Sequence, residues 1–176
     1  MEEPMKQSPK LSHVDAAGRA VMVDVSGKQP TLRRAVAEGR VRISAQLAGA
    51  IAANTLAKGD LLAVARLAGI QAAKRTDELI PLCHSLPLEQ VSVDVWLEDQ
   101  TVRIRAEART SAKTGVEMEA LTAVSIAALT VIDMGKAIDP LMTIESIRLM
   151  EKTGGKHDII RPVDADVHCL AGEEPP

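Results

Sequence analysis

Ionisable residues stand at both ends of one apolar stretch, KTGVEMEALTAVSIAALTVIDMGKA, which occupies positions 113–137. Glu119 lies near its start, and Asp133 and Lys136 lie near its end. A carboxylate beside a lysine at the end of an apolar helix can have its proton affinity tuned by desolvation and by its charged neighbour. These residue types could therefore exchange protons at the end that carries Asp133 and Lys136, or could simply be charges at a helix end.

The spacing of the carboxylates predicts that one chain cannot bring both ends of this stretch to one small ligand. At 100° per residue, Glu119 and Asp133 share a helix face to within about 40°, and Glu117 points almost the opposite way, but the first two lie roughly 20 Å apart along the axis. Two interpretations follow. The acids and Lys136 are helix-end charges that suit the macrodipole. Alternatively, two such helices pack antiparallel across a two-fold axis, which places Glu119 of one chain near Asp133 and Lys136 of the other.

Cys83 and His84 stand in a loop behind Pro81, which ends the preceding helical pattern. His84 is suited to acid–base work near neutral pH or to phosphate binding, although a single histidine is also common as a surface hydrogen-bonding residue. Cys83 could equally be a small buried hydrophobe.

Separate basic residues fit an anionic ligand. Lys58 precedes a predicted helix start at Asp60, where backbone N–H groups and a cation together could hold an anion. Lys152 and Lys156 surround a glycine pair that could wrap a phosphate, or form only a surface loop. A polyphosphate would use several cations together: Lys58, Lys74, Arg75, Lys136, Lys152 and Lys156.

The segments that position these residues change their hydrophobic period along the chain. Alternation over Val91–Leu97 and Val102–Ala108 predicts a β-hairpin with one buried face, and a helix of about six turns is predicted from Gly115 to Ala137. The order of elements predicts an α+β ferredoxin-like sandwich, with an antiparallel sheet and helices packed on one face. The remaining predictions are an extended arm over 20–30, a strand over Val41–Ile43, helices capped by Ser44 and Asp60 that end near Asn54 and Pro81, and a closing strand over 141–152.

The composition bounds the class of protein. The chain has 176 residues and a formal net charge of -3, which argues against a general nucleic-acid or membrane-surface binder. Phe and Tyr are absent and Trp96 is the one aromatic residue, so the core must be aliphatic. A single domain over 13–160 is expected, between flexible tails at 1–12 and 161–176.

A cytoplasmic location is expected. The two cysteines, Cys83 and Cys169, lie far apart and form no CxxC pair, which fits a reducing compartment better than a disulfide scaffold or a zinc site. The first residues lack the apolar core of a signal peptide, and the apolar run from Ala120 to Ile132 is too short to span a bilayer.

Three long motifs resemble one known family. SGKQPTLRRAVAEGRVRIS, GDLLAVARLAGIQAAKRTDELIPLCHSL and the 113–137 stretch closely resemble the molybdenum cofactor biosynthesis protein C family, the cyclic pyranopterin monophosphate synthases. The resemblance implies a ferredoxin-like subunit and a homohexamer, a trimer of dimers with active sites between paired subunits. It implies that a cyclised dihydroguanosine triphosphate is rearranged to cyclic pyranopterin monophosphate with release of pyrophosphate. No redox cofactor is implied, and no ligand cluster demands a metal.

The resemblance also implies roles for particular residues. Asp133 and Lys136 match the catalytic pair of the family's DMxKA segment. Ser85 stands where the family usually has a proline after LCH, which leaves the backbone of His84 freer. The rival interpretation is a non-catalytic nucleotide-binding assembly module that uses the same cations only to bind. The implied substrate-binding residues are Leu82, Cys83, His84, Met118, Glu119, Lys58, Lys74 and Lys152.

Overall fold

The computed structural model describes Val14 and residues 17–162. The predicted tail over 1–12, and positions 163–176 of the second predicted tail, lie outside the described residues. The elements of the described chain are, in order, β1 (Thr31–Arg42), α1 (Ala45–Ala52), α2 (Leu61–Ala73), α3 (Thr76–Leu79), β2 (Gln90–Glu98), β3 (Thr101–Ala112), α4 (Glu117–Gly135), β4 (Thr143–Thr153) and β5 (Ile159–Ile160).

The strands form one antiparallel sheet in the order β2-β3-β1-β4-β5. Helices α2 and α4 pack against each other and against the sheet, α2 over β2 and α4 over β1, β3 and β4. An aliphatic core fills the space between the two layers. The predicted α+β ferredoxin-like sandwich is confirmed.

The predicted β-hairpin is formed by β2 and β3, which are joined by the two-residue turn 99–100. Val93 and Val95 are buried in the core, whereas Asp94 and Trp96 point to the opposite face, where Trp96 is 38% exposed. Burial with a period of two is what a half-buried antiparallel strand requires. The alternation therefore predicted both the strands and their buried face correctly.

The face of the sheet opposite the core carries ion pairs between neighbouring strands. Arg34 of β1 pairs with Glu107 of β3 at 2.7 Å, and Arg105 of β3 pairs with Glu38 of β1 at 2.5 Å. Partly exposed pairs of this kind contribute about 1 kcal/mol or less each. They therefore add only modestly to the pairing of the central strands.

The predicted strand over Val41–Ile43 is wrong in extent, because β1 begins ten residues earlier, at Thr31. This strand lies between β3 and β4 at the centre of the sheet, and its residues Ala35–Ala37 are buried in succession. Burial therefore alternates only in its second half, over 37–42, and alanine and glycine are poor strand formers. It is a strand because it pairs with β3 along one edge and with β4 along the other. The two-residue β5 was not predicted either.

Both predicted N-caps are confirmed. Ser44 Oγ accepts a hydrogen bond from the backbone N–H of Leu47 at 3.3 Å, and Asp60 Oδ1 accepts one from that of Ala63 at 3.0 Å. Each bond satisfies a donor that the first turn of a helix leaves without an intrahelical partner.

The predicted continuation of the second helix to Pro81 is wrong. Helix α2 ends at Ala73, and a separate single turn, α3, follows it. The hydroxyl of Thr76 is buried and donates to the carbonyls of Ala72 and Ala73, at 3.3 and 3.1 Å. A side chain that takes over the last carbonyls of a helix competes with its continuation.

Helix α4 is two residues shorter than predicted at each end and lies at the centre of the helical layer. Its length and composition alone would suit a bilayer span. Its small residues Ala123, Ala127 and Ala128 are fully buried, however, and the carbonyl of Ala123 lies close to Gly69 of α2. The apolar character of α4 is that of a core helix packed against the sheet and against α2.

Gly39 gives a test of how closely α4 approaches β1. A Cβ atom at this position would lie 2.5 Å from Val124 Cγ1, and the β-branched valine has little freedom to move away. We expect Gly39→Ala to lower the free energy of unfolding by about 1–3 kcal/mol through overpacking. Urea denaturation at one protein concentration measures this change.

Gly49→Ala is the matched control for Gly39→Ala. Gly49 is an exposed residue of α1, and a Cβ there would meet no atom within 4 Å. This variant is expected to gain about 0.5–1 kcal/mol, because alanine favours the helix. Equal effects of the two substitutions would contradict the close approach of α4.

Candidate active site

Two adjoining cavities lie at the N-terminal end of α4. The loop cavity, of about 390 Å³, is lined by Val23, Val25, Lys28, Leu82, Cys83, His84, Leu86, Thr114, Gly115, Glu117, Met118 and Glu119. The basic cavity, of about 280 Å³, is lined by Lys28, Arg33, Arg34, Lys113, Thr114, Gly115, Val116, Glu117, Lys152, Thr153, Gly155, Lys156 and His157. The residues common to both are Lys28, Thr114, Gly115 and Glu117, so one extended ligand can occupy the two cavities together.

The loop cavity brings together five of the substrate-binding residues that the sequence suggested. Leu82, Cys83 and His84 come from the loop after α3, and Met118 and Glu119 come from the first turn of α4. The antiparallel packing of α2 on α4 places the end of the α2–α3 segment beside the start of α4. The wall is therefore partly apolar, with a carboxyl, an imidazole and a thiol set into it.

Glu119 is a buried carboxyl, with only 4% of the residue exposed. Burial raises the pKa of Glu119 to about 7, and the nearby carboxylates of Glu117 and Asp77 contribute in the same direction. A carboxyl with this pKa is partly protonated at neutral pH. It can both donate and accept hydrogen bonds to a flat heterocycle in the loop cavity.

The raised pKa of Glu119 predicts a pH dependence of stability. The folded-state pKa of about 7 lies above the usual 4.5, so folding retains a proton that the unfolded chain releases. The free energy of unfolding should therefore fall as pH rises from 4.5 to 7, and remain lowered above pH 7. We expect Glu119→Gln to remove this loss, of about 3 kcal/mol, at pH 8 and to change little at pH 4.5.

Urea midpoints at the two pH values measure this effect. Glu78→Gln is the control, since Glu78 is an exposed carboxylate paired with Arg75 at 3.1 Å. Its substitution should show no such difference between pH 4.5 and pH 8. A Glu119→Gln variant whose stability tracks that of the unsubstituted chain at both pH values would show that Glu119 does not carry the shift.

His84 and Cys83 have different surroundings within the loop cavity. His84 Nε2 lies 2.9 Å from the carbonyl oxygen of Val23. A carbonyl only accepts, so Nε2 carries the hydrogen and Nδ1 of the neutral ring is left as the acceptor nitrogen. Burial raises the pKa of the Cys83 thiol, and the charge of Glu119 adds to this, so Cys83 is a neutral wall residue rather than a nucleophilic thiolate.

The basic cavity holds six lysine and arginine side chains against a single carboxylate, that of Glu117. Lys152 pairs with Glu117, and Arg34 pairs with Glu107 and Glu151. The carboxylate of Glu117 is folded back over Gly115, at the boundary of the two cavities. The remaining positive charge lies in a chain with a net charge of -3, so it is concentrated at this site.

The start of α4 adds to the anion-binding character of the basic cavity. Its N-cap residue is Val116, which lines the cavity and whose side chain makes no capping hydrogen bond in the described chain. The first N–H groups of a helix carry partial positive charge and can bind phosphate oxygens. The start of α4 and the lysines of the basic cavity therefore both favour an anionic ligand.

The opposite end of α4 carries a second cluster. Asp133 Oδ2 lies 2.9 Å from Lys58 Nζ, and Asp133 Oδ1 lies 2.7 Å from Lys136 Nζ. Hydrogen bonds from Lys136 and Lys58 lower the pKa of Asp133 to about 2. All three side chains are about half exposed or more. The structure thus joins Lys58 to the predicted catalytic pair.

The two clusters do not meet within one chain. Fourteen residues of α4 separate Glu119 from Asp133, which is about 21 Å along a helix. Lys152 lies with the basic cavity and Lys58 with Asp133. Lys74 is exposed at the C-cap of α2 and lines neither cavity.

Several lining residues were not predicted as site residues. Lys28, Arg33 and Lys113 come from the arm, from β1 and from the β3–α4 connection. Glu117 was set aside because the helical wheel turns it away from Glu119, but at the first turn its side chain folds back over Gly115. The motif SGKQPTLRRAV contained a signal, since it places three cations close together in front of a predicted strand. Among the described residues, no group of three or more His, Cys, Asp or Glu could hold a metal ion.

A cation-rich cavity that adjoins a partly apolar cavity with a buried carboxyl is typical of an enzyme that acts on a phosphorylated heterocyclic compound. Comparison with known proteins agrees with this class. The family model described as MoaC family matches residues 22–155, and the chain belongs to this family.

Relatives in three bacteria carry the same protein name, cyclic pyranopterin monophosphate synthase. The protein of Nostoc sp. is 56% identical over 159 residues, which cover 89% of this chain and 95% of the relative. That of Rhodopirellula baltica is 53% identical over 163 residues, covering 86% and 93%. That of Roseiflexus sp. is 57% identical over 148 residues, covering 83% and 94%. These names are those of a biosynthetic enzyme.

Proposed function

We propose that this chain is a cyclic pyranopterin monophosphate synthase, a lyase of molybdenum cofactor biosynthesis. It would convert (8S)-3',8-cyclo-7,8-dihydroguanosine 5'-triphosphate to cyclic pyranopterin monophosphate and release pyrophosphate. The observation that carries the proposal is the basic cavity, with its six cationic side chains beside the buried carboxyl of Glu119. The names of the relatives that are 53–57% identical support the particular reaction.

The triphosphate belongs in the basic cavity. Lys152 and Val116 at the start of α4 line it, together with Lys28 and Arg33. A substrate phosphate would displace the carboxylate of Glu117 from Lys152, since a phosphate offers more charge and more acceptor oxygens. Lysines held in place before the reaction stabilise the negative charge that develops on the departing pyrophosphate.

The guanine-derived part of the substrate belongs in the loop cavity. The carboxyl of Glu119 and Nδ1 of His84 offer one donor–acceptor group and one acceptor to its ring edge. Leu82 and Met118 provide apolar wall against its faces. These residues orient the ring while it is opened and rebuilt.

Proton transfer is assigned to Asp133 and Lys136 of a second copy of the chain. Because the two ends of α4 are about 21 Å apart, a single subunit cannot supply both clusters to one substrate. Two α4 helices related by a two-fold axis and running antiparallel would bring Asp133, Lys136 and Lys58 of one subunit to the cavities of the other. We place three such dimers in a cytoplasmic hexamer, and we assign the exposed Lys74 to the same intersubunit site.

The test of the proposed function is a pyrophosphate-release assay on the purified full chain with the cyclic dihydroguanosine triphosphate. Release of pyrophosphate together with cyclic pyranopterin monophosphate is expected, and GTP serves as the control substrate that should not react. Tight binding of the cyclic triphosphate without pyrophosphate release would instead select the non-catalytic nucleotide-binding module. Release of pyrophosphate from GTP at the same rate would indicate a general triphosphate hydrolase.

A further inference from the structure

Residues 21–30 form an arm that lies beside both cavities before β1 begins. Val23 and Val25 line the loop cavity, and Lys28 lines both cavities. The other side chains of the arm are exposed, and none of its ten residues is part of a strand or helix. A segment of this kind depends on few contacts for its position.

Two side chains of the main body hold the arm. His84 Nε2 bonds to the carbonyl oxygen of Val23 at 2.9 Å, and Lys113 Nζ donates to the carbonyl oxygen of Ser26 at 2.8 Å. Within the part of the chain that the structure describes, these are the hydrogen bonds that join the arm to residues after position 30. Lys113 therefore fastens the half of the arm that leads to Lys28.

The arm is folded into a turn at the point that Lys113 holds. The backbone N–H of Lys28 donates to the carbonyl of Val25 at 3.0 Å, and that of Ser26 donates to Asp24 Oδ1 at 2.8 Å. Hydrogen bonding from Ser26 lowers the pKa of Asp24, and the charge of Lys113 contributes to this lowering. Lys113 thus holds the turn through a hydrogen bond to one of its carbonyls, its charge also acts on the carboxylate of Asp24, and the turn ends on Lys28.

We propose that Lys113 is a positioning residue, which fixes the arm so that the ammonium group of Lys28 reaches the substrate phosphates. This inference rests on the proposed function, because that function supplies the triphosphate. The competing assignment is that Lys113, which also lines the basic cavity, contacts the phosphates itself. The two assignments differ in whether substitutions of Lys113 and Lys28 weaken phosphate binding independently of each other.

A double-mutant cycle separates the two assignments, with inorganic tripolyphosphate as the probe. Binding to the full chain is measured by calorimetry for Lys28→Met, Lys113→Met and the double variant. Each single substitution is expected to weaken binding about 10-fold. The double variant should also bind about 10-fold more weakly than the unsubstituted chain, since Lys28 contributes little to binding once it is displaced. A product of the two effects, about 100-fold, would overturn the proposal.

Amide hydrogen exchange of residues 21–30 gives a second readout that needs no turnover. Lys113→Met should raise the exchange rate of the Lys28 amide about 10-fold, whereas Lys113→Arg should retain the donor and the protection. Lys156→Met is the matched control, because Lys156 lines the basic cavity but makes no hydrogen bond to the arm. It should weaken binding and leave exchange unchanged.

Unchanged exchange in Lys113→Met would also overturn the proposal. These outcomes are distinct from a failure of the proposed function. If the chain releases no pyrophosphate but the double-mutant cycle and the hydrogen exchange behave as expected, the proposed reaction is wrong and the role of Lys113 stands. If pyrophosphate is released but the effects of the Lys28 and Lys113 substitutions on binding multiply, the proposed reaction stands and the positioning role of Lys113 is wrong.

Discussion

Replacement of Asp133 by Asn is expected to lower kcat by about 10²–10⁴-fold, the contribution typical of a side chain that transfers a proton. The hydrogen bonds from Lys136 and Lys58 hold the pKa of Asp133 at about 2, so the carboxylate is ionised throughout the neutral range. In the proposed mechanism this carboxylate accepts a proton, with Lys136 as the neighbouring donor. Asn keeps the shape of the side chain but cannot accept a proton.

The Asp133→Asn variant should remain folded and should still bind tripolyphosphate. Its side chain is 59% exposed, and the basic cavity of its own subunit lies at the far end of α4. Glu78→Gln is the matched control, since it also removes an exposed i,i+3 ion pair from a helix and should change kcat by less than about 2-fold. Pyrophosphate release by Asp133→Asn within about 3-fold of the unsubstituted rate would remove Asp133 from the mechanism.

Two inactive variants, Glu119→Ala and Asp133→Asn, should regain activity when they are mixed as hybrid dimers. In the proposed dimer every site takes the start of α4 from one subunit and its end from the other, so each hybrid would hold one site with both substitutions and one site with neither. Random mixing gives half hybrids, so about a quarter of the unsubstituted activity is expected. Co-expression of the two chains with different tags, followed by the pyrophosphate assay, measures this recovery.

The control for this recovery is a mixture of Glu119→Ala with Lys152→Met. Both of these residues line the cavities at the start of α4, so every site of a hybrid keeps one damaged residue. No recovery is expected there. Verified hybrids of the first pair that stay as inactive as their parents would show that one subunit contains a complete site.

The sequence predicted best those elements that have one face against the core and the other face towards the solvent. Strand β2 alternates because Val93 and Val95 face the helices and Asp94 does not, and that contrast is local. Strand β1 carries this contrast only from Ala37 onwards, because its residues 35–37 are buried in succession between strands that are distant in sequence. Its extent follows from the topology and could not be read from its own residues.

The residues of the candidate site also fall into those that local sequence predicts and those that only the fold brings together. Glu119 and Asp133 could be assigned to opposite ends of one helix, because helical geometry fixes their separation from the sequence alone. Lys28 and Lys113 are 85 positions apart, and only the folded arm brings both to one cavity. Glu117 shows a further limit, since a wheel gives the direction of the Cα–Cβ bond but not the path of a side chain that bends back over a glycine.

The absence of Phe and Tyr makes Trp96 a natural optical reporter of assembly. It is the single strong emitter in the chain, and its partly exposed indole stands on the surface of β2 that points away from the helices and lines neither cavity. Its emission therefore responds to coverage of that surface and hardly to a nucleotide in the cavities. A measurement of Trp96 emission as the protein is diluted would thus distinguish subunits that join through the sheet from those that join through the helices. It needs no attached label.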